Sequence, residues 1–162
     1  MTSLAGRKVL LDTNLLLLLL IGSIDQKQID TNKRIGKYSA QEFLLLNEYL
    51  RDANALVTTE HVNSQTSDLG AGSLTGRYRE EFLILLRSLH ELNTVNLMRA
   101  DETNQPILSL GVDILRVLGV ADAGLINAAR ENNCVLLTDD LRLYLMAQRQ
   151  GVEAVNFSHL LQ

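Results

Sequence analysis

Apolar residues recur along this chain with two periods. Short unbroken runs occur at Val9-Leu10-Leu11, Ala55-Leu56-Val57 and Val135-Leu136-Leu137. Between them lie longer stretches in which apolar residues return every three or four positions. Unbroken runs of this length fit strands buried on both faces, and the wider spacing fits helices. Residues 8–11 therefore read as a strand and 14–21 as a helix packed behind it. Residues 22–40 are polar and mixed, so a loop or a short exposed helix is expected. Phe43, Leu46, Tyr49 and Leu50 predict an amphipathic helix over 41–52. A second strand is expected over 55–58, and a helix opening at 59–67 that carries Glu60 in its first turn.

Gly70, Gly72 and Gly76, with Ser73 and Thr75, mark a flexible stretch. Tyr78, Phe82, Leu85, Leu86, Leu89 and Leu92 then give strong helical spacing. Residues 94–98 predict a short strand. Residues 107–118 predict a helix interrupted near Gly111 and stopped at Gly119. A helix over 122–132, a strand over 134–137 and a helix over 141–150 ended by Gly151 follow. A short strand over 152–157 closes the pattern. Strands alternate with helices throughout, which implies an α/β fold with a parallel sheet covered on both faces. No domain boundary interrupts 1–162, so one domain is expected.

The polar ends of the apolar runs carry the candidate chemistry. The first run leads into Asp12, the second through Thr58-Thr59 into Glu60, and the third through Thr138 into Asp139-Asp140. A further acid, Asp122, opens the helical run of Leu125, Ile126 and Ala129. Carboxyl ends of parallel strands share one sheet edge, where open α/β sheets bind ligands. Several carboxylates there repel one another unless a hard cation lies among them. An oxygen-only set of this kind suits Mg²⁺ or Mn²⁺, and with it phosphate chemistry.

Composition narrows this picture. At 162 residues, 46% hydrophobic and 21% charged, the chain can bury a sizeable core. A net charge of −4 argues against a general basic coat for nucleic acid, though not against a local basic patch. The densest basic run holds Lys27, Lys33, Arg34 and Lys37, and Arg77 and Arg79 flank the glycines. Both groups are candidate phosphate contacts, set against the plainer reading of a solvated surface. Cys134, the single cysteine, lies in an apolar run and allows no disulfide framework, so a reducing cytoplasm fits best. The run from Leu15 to Ile21 is too short to span a bilayer. Asp12 and Asn14 also interrupt the longer apolar stretch that begins at Val9, which speaks against a signal peptide. His61, His90 and His159 are scattered, without zinc-ligand spacing, and no glycine-rich nucleotide motif is present.

Four segments taken together resemble the PIN-domain ribonucleases, the group that includes VapC-like toxins of bacterial toxin–antitoxin pairs. They are Leu11-Asp12-Thr13-Asn14, Glu60, Leu118-Gly119-Val120-Ala121-Asp122-Ala123 with Ile126 and Ala129, and Leu136-Leu137-Thr138-Asp139-Asp140. The resemblance spans nearly the whole chain. It implies a three-layer α/β/α sandwich around a mostly parallel sheet of four to five strands. It implies catalytic acids at Asp12, Glu60, Asp122 and Asp140, with Asp139 as an additional metal ligand. Asn14 and Thr138 would support those acids by hydrogen bonding. Asp113, within Leu110-Gly111-Val112-Asp113, imitates the Asp122 segment and is the alternative register.

The family implies hydrolysis inside RNA, leaving a 5′-phosphate, with Mg²⁺ or Mn²⁺ as cofactor. Lys33, Arg34, Lys37, Arg77 and Arg79 would contact the RNA. For a toxin-like member it further implies a homodimer and a cognate antitoxin. A haloacid-dehalogenase-like phosphatase is an alternative, but it needs a second Asp where this chain has Asn14, and a lysine before the late acids. A non-catalytic PIN-like scaffold binding RNA or protein is another; the full set of acids speaks against it.

Overall fold

A computed structural model describes residues 3–91, 95–98 and 111–161. Five parallel strands form its sheet in the order β3-β2-β1-β4-β5. They are β1 (Lys8–Leu11), β2 (Ala55–Thr59), β3 (Val95–Met98), β4 (Val135–Thr138) and β5 (Ala154–Asn156). β1 lies at the centre, pairing Leu10 with Val57 on one side and with Leu136 on the other. Chain order runs outward from β1 to β2 and β3, then returns to the opposite side for β4 and β5. The reversal between β1 and β4 is a topological switch point, and it opens a crevice beyond the strands' carboxyl ends.

Helices cover both faces, giving the three-layer α/β/α arrangement. Helix α1 (Thr13–Ile24) contacts α2 (Lys27–Thr31), α3 (Ala40–Leu50), α4 (Glu60–Ser73) and α5 (Gly76–Glu91). Helix α6 (Val112–Glu131) contacts α7 (Leu141–Arg149), and both touch β4. A short 3₁₀ turn, Phe157–Leu161, ends the described chain. Leu15, Leu17, Leu18, Val9, Leu10, Leu136 and Leu137 are fully shielded from solvent within one apolar cluster. α1 is apolar nearly all round because it is buried nearly all round. No helix among the described residues is long and apolar enough to cross a membrane.

The expected glycine-rich flexible stretch is largely helix. α4 continues through Gly70 and Gly72 to Ser73, well past the expected end at residue 67. A Cβ on Gly70 would stand 2.0 Å from Phe82 Cζ, so that glycine lets α5 approach α4 closely. Packing outweighs the low helix propensity of glycine here. Residues 99–110, which include the first third of the expected helix over 107–118, lie outside the described residues, as do Leu92 and Thr94 of the expected helix and strand. The part that follows begins at Val112 with Gly111 at its N-cap. Its run to Glu131 is broken at Gly119, whose φ of 77° and ψ of 175° are not helical. That conformation belongs almost wholly to glycine, so the predicted stop at Gly119 is realised as a break between two helices.

Candidate active site

Asp12 leaves β1 in an extended conformation and caps α1. Its Oδ1 accepts from the Leu15 amide at 2.8 Å. Its Oδ2 accepts from Thr138 Oγ1 at 2.5 Å and from the Asp139 amide at 3.0 Å. Thr138 Oγ1 in turn accepts from the Asp140 amide at 3.0 Å. The threonine thus joins the ends of β1 and β4 across the switch point. Asp12 is only 4% exposed. Burial pushes its carboxyl above the usual carboxylate range, against the pull of the hydrogen bonds from Thr138, Leu15 and Asp139.

Asp140 caps α7, its Oδ1 accepting from the Arg142 amide at 2.7 Å and the Leu143 amide at 3.2 Å. Its other carboxylate oxygen accepts no hydrogen bond among the described residues. For Asp12 and Asp140, helix capping and a place in the site are therefore compatible. One oxygen of each caps, and the side chain still borders the crevice.

That crevice is a cleft of about 230 Å³. Asp12, Thr13, Asn14 and Leu118–Asp122 line it, together with Arg34, Gln65, Asp140 and Leu143. The break at Gly119 brings the loop-like turn before Asp122 to the cleft wall. Burial, then the charges of Asp12 and Asp140, push the Asp122 carboxyl up to about 6. Asp122 thus feels the charges of Asp12 and Asp140 across the cleft. Asn14 Oδ1 is buried and accepts no hydrogen bond among the described residues, an unmet acceptor at the same wall. Thr13 Oγ1 donates to Gln65 Oε1 at 2.8 Å, which ties the start of α1 to α4.

Other predicted residues lie elsewhere. Glu60 is the exposed first residue of α4 and does not line the cleft. Asp113 lies exposed at the start of α6, 3.6 Å from Arg116, so Asp122 is the register that reaches the cleft. Asp139 does not line the cleft. Its Oδ2 accepts from Lys37 Nζ at 2.5 Å and from the Tyr38 hydroxyl at 2.9 Å, and its Oδ1 accepts from Ser158 Oγ. Burial raises the Asp139 carboxyl, but bonds from Lys37, Ser158 and Tyr38 outweigh it and hold it below the usual range.

The basic residues divide in the same way. Arg34 borders the cleft, Lys33 is exposed, and Lys37 is committed to Asp139. Arg77 donates to the Tyr78 hydroxyl at 3.3 Å, and Arg79 Nε donates to the Leu74 carbonyl at 3.1 Å. Neither lines the cleft. Gln65 was not legible beforehand. It is an exposed polar residue of a helix, and only its bond to Thr13 singles it out.

Among the described residues, no three His, Cys, Asp or Glu side chains form a group close enough to hold a metal ion. Asp12, Asp122 and Asp140 share a wall without converging on one point. The donors that the cleft offers are nonetheless all oxygen: three carboxylates and the unmet Asn14 amide oxygen. That set fits a hard divalent cation better than a soft one.

No family model matches the chain, and no curated protein matches it. Among solved structures, it is similar to a domain of a functionally unknown protein from Methanocaldococcus jannaschii DSM 2661. The two are 24% identical, with 93% of this chain and 91% of the other covered and a TM-score of 0.46.

Proposed function

We propose that this chain is a metal-dependent endoribonuclease of the PIN-domain type, hydrolysing RNA phosphodiester bonds at the cleft. The observation that carries the reading is the sharing of one cleft by Asp12, Asp122 and Asp140 at the switch point of a parallel sheet. Carboxylates held together at neutral pH repel one another; burial raises the Asp122 carboxyl most, and the charges of Asp12 and Asp140 raise it further. Proteins hold such arrangements where the charge has a use. Asp12, Asp122 and Asp140 would hold Mg²⁺ or Mn²⁺. When bound, such an ion supplies positive charge for the phosphodiester oxygens and lowers the pKa of a water molecule. Thr138 keeps Asp12 oriented through its short hydrogen bond. Asp140, with one oxygen unengaged among the described residues, is suited to hold a water for attack on phosphorus.

Purified protein incubated with single-stranded RNA tests this directly. Internal cleavage in Mg²⁺ or Mn²⁺, lost in chelator and in Asp12→Asn, is the expected outcome. RNA binding without cleavage would replace the enzyme with a binding scaffold. Hydrolysis of a small phosphomonoester with RNA left intact would favour a phosphatase. A cognate antitoxin and a homodimer follow from the resemblance to toxin-type members. Co-purification with a neighbouring gene's product that blocks cleavage would test the first, and the mass in solution the second.

A further inference from the structure

The segment 32–38 crosses the carboxyl edge of the sheet and is pinned at both ends. At one end Asn32, 4% exposed, donates from Nδ2 to Ser73 Oγ at 2.9 Å. Its Oδ1 accepts from the amides of Arg34 at 2.9 Å and Ile35 at 3.3 Å, folding the segment into a tight turn. At the other end, Lys37 and Tyr38 both donate to Asp139. Ile35 and the Tyr38 ring are buried between these ends. Arg34 lies between the two anchors, and it borders the cleft beside the three carboxylates. Among the described residues no ion pair holds its guanidinium.

Asp139 is poorly placed to be a cation ligand. Asp12 and Asp139 each accept three hydrogen bonds, but the donors to Asp12 are all neutral, whereas one donor to Asp139 is the Lys37 ammonium. Lys37 neutralises its charge, so an ion would have to displace an ammonium at 2.5 Å. Its backbone amide meanwhile donates to Asp12. One residue thus joins the proposed metal-binding acid, through its main chain, to the basic segment, through its side chain.

We propose that Asp139 is a positioning residue, clamping segment 32–38 so that Arg34 faces the cleft and receives a phosphate of the RNA strand. This rests on the nuclease reading above. It separates two adjacent acids by role: Asp140 borders the reacting groups, and Asp139 orients the arginine that holds the strand. An arginine fork suits this task because it binds two phosphate oxygens at once. Lys37 is then part of the clamp, and does not contact RNA.

Two measurements on the full chain test it. In limited proteolysis by trypsin, Asp139→Asn and Lys37→Met should each speed cleavage after Lys33 and Arg34, without lowering the temperature of global unfolding enough to account for it. This readout needs neither RNA nor metal. In cleavage assays at saturating Mn²⁺, Arg34→Ala should raise KM for RNA about tenfold, as expected for one lost charge-assisted bond. Asp139→Asn and Lys37→Met should also raise KM, and adding Asp139→Asn to Arg34→Ala should cost little more. The Mn²⁺ concentration for half activation should stay where it is in the wild type.

A higher Mn²⁺ requirement in Asp139→Asn, with a lower one in Lys37→Met, would make Asp139 a ligand and overturn the clamp. Unchanged tryptic sensitivity in both variants would overturn it as well. If the wild type fails to cleave RNA, the nuclease reading falls, and with it the role given to Arg34. The tryptic comparison then judges the clamp alone.

Discussion

Asp122 and Asp139 stand at the same edge of the sheet, and both are partly buried, yet their carboxyls are driven in opposite directions. Asp122 is pushed up to about 6 by burial and by the charges of Asp12 and Asp140. Asp139 is held below the usual range, because bonds from Lys37, Ser158 and Tyr38 outweigh the cost of burial. Burial alone therefore says little about what a carboxylate does. Donors from other elements decide whether it is a satisfied structural anion or a strained one. Asp139 holds parts of the fold together. Asp122 costs the metal-free protein stability, as a group kept for binding would.

The comparison can be broken most severely in activity. Asp122→Asn and Asp12→Asn keep the shape of the side chain and remove its charge. Each should lower metal-dependent RNA cleavage by more than about a hundredfold, beyond the usual effect of disturbing a ligand's outer partners. Asp113→Asn should cleave like the wild type. Full activity in Asp122→Asn with loss in Asp113→Asn would reverse the assignment of the two registers.

Stability gives the next largest contrast, and the two residues should differ in sign. The Asp122 carboxyl titrates near 6 in the folded chain and near 3.8 as a free group. Between those values the folded state holds more protons than the unfolded state, so stability falls as pH rises. The penalty is complete above about pH 6 and absent below about pH 4. It amounts to roughly 2–3 kcal/mol at 1.36 kcal/mol per unit. In chelator, Asp122→Asn should therefore melt several degrees higher than wild type at pH 7.5. That gain should shrink toward zero as pH falls to 4.

Asp139→Asn should instead melt lower. A lowered carboxyl contributes stability above its unfolded value near 3.8, and loses it only as pH falls through the folded value. Its deficit should be level between pH 5 and 8. Because Lys37, the charged partner, is half exposed, it should be no more than about 1 kcal/mol. Melting curves at four pH values measure both, and parallel pH profiles for the two variants would erase the contrast.

The backbone turn that carries Asp122 offers a finer test. Gly119→Ala forces a side chain into φ 77°, although no atom within 4 Å would obstruct it. The expected cost is about 1–3 kcal/mol from conformation alone, together with a loss of cleavage as the following turn shifts. A smaller effect is expected from the ion itself. Mg²⁺ or Mn²⁺ should raise the melting temperature at pH 7.5 by relieving the carboxylates, and should raise it less at pH 5, where Asp122 is protonated. A wild-type curve indifferent to both ions and to chelator would remove the reason to regard Asp122 as strained for binding.

Much of the frame was legible before any coordinates. Unbroken apolar runs marked the strands, three- and four-residue spacing marked α3, α5 and α7, and Gly119 and Gly151 marked breaks. The positions of Asp12 and Asp140 after β1 and β4 followed, since an acid one or two residues beyond a parallel strand must lie on the sheet's carboxyl edge. These features are local: each depends on a dozen residues or fewer and on the period of their burial.

The glycines at 70 and 72 misled for a complementary reason. Propensity is a weak local preference, and Phe82, twelve residues beyond Gly70, supplied the contact that keeps the helix intact. Nothing local separated Asp139 from Asp140 either, because adjacent residues at a strand end face different ways, and the donors to Asp139 come from residues 37, 38 and 158. The same holds for Arg34 and Gln65, brought to the cleft by a loop and a helix from the far side of β1. The chain by itself determined which residues end its strands, because burial on two faces writes a continuous apolar run. The tertiary structure decided which of those residues share a cleft and which are tied down elsewhere. Side-chain direction and long-range hydrogen bonds exist only once the elements have docked.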